Sequence, residues 1–251
     1  MSEDHNHLVA RHSGVRAFTQ QRRPGFADCA PSGRVRVDAL ADWLQDIAYA
    51  DVQDAGLEDA AVWVVRRTRI RVNRFPRFGG RYELTTFCSG LGRMWAERRT
   101  DIVAIGEAGV VEPDVEAVSI WVHLDVDHWR PSTLTAAELR TYGGAVPSRR
   151  VSARLRHPVP AQVTEGTRWR FRATDCDIAD HVNNAVYWQP LEEELLTGAH
   201  PDPEALDVEI EYRTPAQPGS KRVVSDGDYR WIVGEDGELH ASIRLGADDG
   251  A

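Results

Sequence analysis

Residues 37–55, VDALADWLQDIAYADVQDA, set Leu40, Trp43, Leu44, Ile47 and Ala48 at the spacing of one helical face. Asp38 stands near the start to cap the helix, and Gly56 lies just past its end. Beyond the helix, β-rich runs at 62–72, 81–89, 93–104 and 116–126 are separated by Phe75-Pro76, Gly79-Gly80 and the glycine-bearing stretches 90–92 and 106–109. One long helix followed by an antiparallel sheet is the unit this pattern predicts.

Further on, the chain turns polar and proline-bearing, with RPSTLTAAELRTYGG, SRRVSARLRHP and VPAQVTEG. We read this as a crossing linker with one short helix at 135–142. The last third then repeats the first in outline: a strand at 167–172, a helical stretch containing PLEEELL, and strands at 207–214, 221–232 and 238–245. The turn Gly234-Glu235-Asp236-Gly237 joins the final two strands. Asp28-Cys29 recurs as Asp175-Cys176, and IRVNRFPRFGG from Ile70 recurs in pattern as IEYRTPAQPGS from Ile210. Two copies of one α+β unit are therefore expected, at 14–128 and 167–247, joined by the linker 129–166.

A chain of 251 residues with 42% hydrophobic and 27% charged residues is long and apolar enough to bury a substantial core. Its net charge of -9 argues against a nucleic-acid binder, because phosphate contacts require a basic footprint. No stretch is long and apolar enough to span a bilayer, and the N-terminus lacks the basic start and apolar run of a secretory signal, so a cytoplasmic location is expected. Cys29, Cys88 and Cys176 are odd in number and lack C-x-x-C spacing, which points to neither a disulfide framework nor a zinc site; no metal or cofactor is expected. Arg66, Arg67, Arg69, Arg71, Arg74, Arg77 and Arg81 form a basic run in this acidic chain. It serves either to receive an acidic or phosphate-bearing partner or as a set of solvated strand faces.

The chemistry concentrates at 175–187, DCDIADHVNNAVY. Asp177 and His181 precede a paired-Asn helix start, Asn183-Asn184. An acid and an imidazole at the positive end of a helix can take a proton from water and stabilise an oxyanion, which is what hydrolysis of an activated acyl group requires. The alternative is a structural Asp–His pair, with the two asparagines serving only as caps. Pro190 interrupts the helix and predicts a kink or restart there. Of Glu192, Glu193 and Glu194, only one can face inward, and the run reads most simply as a solvated helix start. Cys176 should point away from Asp175 and Asp177, and its recurrence at Cys29 favours packing over nucleophilic chemistry.

At these residues the sequence resembles the acyl-acyl-carrier-protein (acyl-ACP) thioesterases. The match runs through LADWLQDIAYADVQDAG, WVVRRTRIRVNRFPRFGG, the strand around Gly92-Arg93-Met94-Trp95 and AVSIWVHLD in the first half. In the second it runs through DCDIADHVNNAVYW, IEYRTPAQPGS and YRWIVGEDGELHASIRLG. The resemblance implies a double hotdog, each unit a long helix cradled by a curved antiparallel sheet. It also implies hydrolysis of fatty acyl-ACP to free fatty acid, with ACP and its phosphopantetheine arm as partner. The family pattern Asp-x-Asn-x-His-Val-Asn-Asn places Asp177, His181, Asn183 and Asn184 at the site, but Ala179 stands where the family has Asn, and Pro215-Ala216 stands where many members have Glu-Cys. Two other readings stay open on the sequence: an acyl-CoA thioesterase, and a non-catalytic acyl-binding hotdog protein. A monomer and a homodimer are both compatible with a doubled unit.

Overall fold

A computed structural model describes residues 8–59, 62–106, 113–143, 151–161, 165–199 and 202–246. Residues 144–150 and 162–164 of the expected linker, and position 247 at the expected end of the second copy, lie outside them. The elements run β1 (Ala17–Arg22), α1 (Val37–Asp54), β2 (Val62–Val72), β3 (Tyr82–Leu91), β4 (Trp95–Ala104), β5 (Val115–Leu124) and α2 (Ala136–Tyr142). The second half follows with β6 (Thr167–Phe171), α3 (Gln189–Thr197), β7 (Leu206–Tyr212), β8 (Gly219–Asp226), β9 (Tyr229–Gly234) and β10 (Leu239–Leu245). The run 221–232, expected as one strand, is divided between β8 and β9 by a turn at Gly227, whose φ of 51° is a left-handed conformation that glycine supplies without strain.

All ten strands form one sheet in the order β1-β3-β4-β5-β2-β7-β10-β9-β8-β6. Each half contributes five neighbouring strands, and β2 pairs antiparallel with β7 to join them, Ile70 opposite Val208 and Arg67 opposite Glu211. Corresponding elements thus meet across an approximate twofold relation within one chain, the arrangement two identical units adopt when they dimerise. The architecture is α+β.

Strand alternation sorts the central residues into two layers. Ile70, Val72, Val208 and Ile210 face the helices and pack with Leu40, Trp43, Ile47, Trp188 and Leu191 in the main core. Arg67, Arg69, Asp207, Glu209 and Glu211 alternate with them and take the opposite face. There the linker lies across the sheet. Arg67 donates to the Arg154 carbonyl at 3.1 Å, Glu211 accepts from the Arg156 and His157 backbone N–H groups at 2.6 and 3.0 Å, and Trp95 and Trp231 reach the Val151 and Pro158 carbonyls, each at 2.8 Å. The short helix in the linker is capped by Thr135, whose hydroxyl accepts from Glu138 N–H at 3.2 Å while the Glu138 carboxylate accepts from Thr135 N–H at 2.7 Å.

The start of α1 departs from expectation. Asp38 does not cap it; Asp38 pairs with Arg36 at 2.9 Å. The Val37 N–H is instead satisfied at 2.9 Å by the carboxylate of Glu192, on α3. Glu192 also takes both terminal nitrogens of Arg34, at 2.8 and 3.2 Å, and both residues are buried. Glu192 is therefore not a solvated helix-start residue: a buried charge pair and an orphan helix donor share its carboxylate. Glu193 and Glu194 do face water, and Glu194 pairs with Arg230 at 2.6 Å.

Candidate active site

After β6, the Asp175 carboxylate accepts from the Arg172 N–H at 2.7 Å, closing one 3₁₀ turn over Ala173–Asp175. A bridge between Cys176 and Val182 then pinches off the loop 177–181. Within it, Asp177 N–H donates to the His181 carbonyl at 3.0 Å and Asp180 N–H to the Asp177 carbonyl at 3.1 Å, with Asp180 at a φ of 61°. The first half builds the same loop: Cys29 bridges Val35, Ala30 N–H donates to the Arg34 carbonyl, and Gly33 takes the left-handed φ of 86°. Position by position, His181 corresponds to Arg34, Asn183 to Arg36 and Ala179 to Ser32.

The Asp177 carboxylate accepts from the Ala179 N–H at 2.9 Å, an Asx turn within its own loop. No hydrogen bond or ion pair joins it to the His181 imidazole among the described residues. Both side chains are partly exposed. Ala179 thus contributes a backbone donor to Asp177 where its side chain contributes nothing.

The two asparagines diverge. Asn183 is an N-cap: its Oδ1 accepts from Ala185 N–H at 2.8 Å and from Gln45 Nε2 at 3.0 Å. The turn it starts, Asn184–Trp188, is 3₁₀, and α3 begins only at Gln189 with Pro190 in its first turn. The missing proline N–H explains the restart. Asn184 lines a small cleft of about 20 Å³, and its own carbonyl accepts from Tyr212 Oη at 3.0 Å. Beside Asn184, the second half lines this cleft with Trp188 and Tyr212, and the first with Leu44, Gln45 and Trp121. Trp121 has a buried indole N–H without an acceptor among the described residues.

Gln45 and Trp121 were not singled out by sequence reasoning. Gln45 sits three positions from Asp42 on α1, to which it also donates at 2.9 Å, and only the packing of α1 against the second half brings it to Asn183. Burial, then the neighbouring Asp46, raises the Asp42 carboxyl above its ordinary value. Pro215 is exposed, whereas Ala216 is sealed, its N–H donating to Tyr187 Oη at 2.7 Å and its carbonyl accepting from Val182. Burial pushes the Tyr187 hydroxyl up to about 12, so it is a neutral strut for this loop. The Cys176 thiol is likewise raised, by desolvation and then by Asp180, Asp177 and Asp175, which disfavours a thiolate nucleophile.

The basic run is divided: Arg67 and Arg69 are buried, Arg66 and Arg71 half-buried, and Arg74, Arg77 and Arg81 exposed. Alternation turns Arg67 and Arg69 under the linker, Arg67 3.5 Å from Glu209 and Arg69 2.6 Å from Asp207. Both guanidinium groups are turned to the carboxylates of β7 rather than to solvent. Arg71 pairs with Asp207, Arg74 with Asp114 and Arg77 with Asp202, while Arg66 donates to the Tyr212 and Arg213 carbonyls. Under the linker, His157, Glu209 and Glu211 bring potential ligand atoms within 4.8 Å of one another. Glu211 is already engaged by two backbone N–H groups and Glu209 faces Arg67, so this cluster has a resident cation in the guanidinium.

An antiparallel sheet packed on a long helix in the first half, α1, and a shorter one in the second, α3, with a cleft lined by residues of both halves, defines a double hotdog protein; Asn184 lines that cleft, and Asp177 and His181 do not. Residues 18–142 match the acyl-ACP thioesterase N-terminal domain and residues 160–241 the acyl-ACP thioesterase C-terminal domain, so the chain belongs to the acyl-ACP thioesterase family. It is a thioester hydrolase of the acyl-ACP class. An uncharacterized protein of Mycobacterium tuberculosis is 25% identical over 249 residues, covering 94% of this chain and 95% of that one. Two solved structures share the fold. A Lactobacillus plantarum protein provisionally assigned as an oleoyl thioesterase has a TM-score of 0.72 at 19% identity, covering 93% of this chain and 96% of its own. The 12:0-ACP thioesterase of Umbellularia californica has a TM-score of 0.68 at 17% identity, with coverage of 91% and 96%. Among the described residues, no helix is long and apolar enough to cross a membrane.

Proposed function

We propose that acyl-ACP hydrolysis runs at the loop 177–184, with the thioester carbonyl beside Asn184 at the small cleft lined by Trp121, Trp188 and Tyr212. The observation that carries this reading is the division of labour between the asparagines: Asn183 is consumed as a cap, and Asn184 faces the cleft. Asn184 opens a 3₁₀ turn, so its backbone N–H is one of the donors a helix start leaves to a ligand. That N–H and its side-chain amide supply oxyanion donors. Asp177, held by the Ala179 N–H, takes the proton of the attacking water, and His181 orients that water or protonates the leaving thiolate. Glu192 is committed to Arg34 and Val37, so it does not replace the carboxylate absent at position 215. Pairing of β2 with β7 supplies within one chain the contact that single units obtain by dimerising, so a monomer suffices.

The test is thiol release from acyl-ACP and acyl-CoA by wild type, Asp177→Ala and His181→Ala. A loss of at least about 100-fold in kcat with unchanged Tm is expected for each, the ordinary yield of general acid–base catalysis. Turnover indifferent to both substitutions, or saturable acyl-ACP binding with no turnover in wild type, would remove these residues from the chemistry.

A further inference from the structure

β6 is the edge strand of the second half, and alternation gives it two unlike faces. Trp169 and Phe171 turn to the core, while Arg168 and Arg170 are exposed on the other side and exposed Arg172 follows directly. Arg168 lies directly opposite Arg222 on β8. Like charges facing each other across strands are destabilising, so folding alone does not account for the pairing. Among the described residues, no ion pair engages Arg168, Arg170 or Arg172. Edge strands often carry charge to block aggregation; the other edge carries less of the basic face, since β1 sets Gln21 opposite Glu83 at the place of Arg168 while exposed Arg23 stands at the place of Arg170. The basic face belongs to the half that bears Asp177.

Its position relative to the site is fixed by the chain. Arg172 anchors the turn that leads into the candidate loop, and Asp177 lies five positions further on, at most about 18 Å of extended chain. Gln217, just before β8, donates to the Asp180 carbonyl at 2.9 Å, tying the β6–β8 edge to the same loop. Ile178, at the loop tip, is fully exposed. Asp226 and Asp228 lie at the opposite end of β8, while Asp175, Asp177 and Asp180 stand in and beside the loop itself. In a chain of net charge -9, an exposed basic patch favours an anionic partner locally.

We propose that Arg168, Arg170 and Arg172, with Ile178 as the apolar contact, form the docking surface for the acidic face of the carrier protein, in place of the buried and half-buried arginines of β2. The inference rests on the acyl-ACP reading above. It predicts that Arg168→Glu/Arg170→Glu raises KM for acyl-ACP about tenfold at low salt, with kcat held and the salt dependence of KM flattened. The specificity ratio for acyl-ACP over a carrier-free acyl-pantetheine thioester falls by the same factor. Fluorescence anisotropy with labelled holo-ACP follows binding independently of hydrolysis. Weakened binding by the double variant supports the surface even if wild type turns over no thioester, so failure of the catalytic reading and failure of the docking surface are separable. Unchanged holo-ACP affinity overturns the proposal. So does an equal or larger effect on acyl-CoA, which would assign the patch to nucleotide phosphates. Circular dichroism and Tm of the variant confirm that it is folded.

Discussion

Glu192→Ala removes the carboxylate that locks α3 to the start of α1. In the native protein that group accepts from Arg34 at 2.8 and 3.2 Å and from Val37 N–H at 2.9 Å, with side-chain exposures of 0% for Arg34 and 4% for Glu192. Truncation takes the bidentate partner from a sealed guanidinium, with Asp202 among the described residues 3.7 Å from Arg34 Nε. Breaking one side of a buried pair costs about 3–5 kcal/mol, and an orphaned helix donor costs about 1 kcal/mol; because one carboxylate serves both, the total should stay near 3–5 kcal/mol. At roughly 2–4 °C per kcal/mol for a chain of this size, Tm should fall by about 6–20 °C. Thermal and urea unfolding followed by circular dichroism measure it. The double variant Arg34→Met/Glu192→Leu should recover most of the loss, because it removes both charges and leaves apolar volume. A loss under about 1 kcal/mol, or a double variant no better than the single, would refute the lock. A collapse of kcat at a temperature where Glu192→Ala is fully folded would instead make Glu192 a catalytic carboxylate.

The asparagines should separate by assay: Asn183→Ala is expected to cost about 1 kcal/mol of stability through the lost cap, whereas Asn184→Ala should leave Tm nearly unchanged and lower kcat about 100-fold as an oxyanion donor. The reverse pattern in melting curves and initial rates would exchange their roles. Arg69→Glu should unfold the protein or lower its stability by about 3–5 kcal/mol, since it sets a buried carboxylate against Asp207. A folded Arg69→Glu protein with weakened carrier binding would restore β2 as a docking element.

The tandem α+β units, the helix ending before Gly56 and most strand positions were legible because each rests on a local signal: a 3.6-residue apolar period, alternating β-branched runs, or glycine and proline punctuation. The repeat was legible for the same reason, since equivalent loops require equivalent local residues, Cys29 and Val35 in one, Cys176 and Val182 in the other. β1 left too little signal, because AFTQQR has an exposed centre and takes its place by pairing with β3 along one edge.

What a side chain faces across the fold was not available in the same way. The basic run on β2 reads identically whether its arginines meet solvent or the carboxylates of β7, and the choice was made by β2–β7 pairing and the linker above it. Glu192 looked solvated in an acidic triplet, yet α3 turns it onto Arg34, which lies 158 residues away in sequence. Asn183 and Asn184 are the same residue type at adjacent positions, and only the 3₁₀ start and the placement of Gln45 send one to capping and the other to the cleft. Composition and periodicity determined which elements form, because those depend on neighbours in the chain; tertiary packing decided which charges are buried and which polar groups meet, because those partners come from opposite halves.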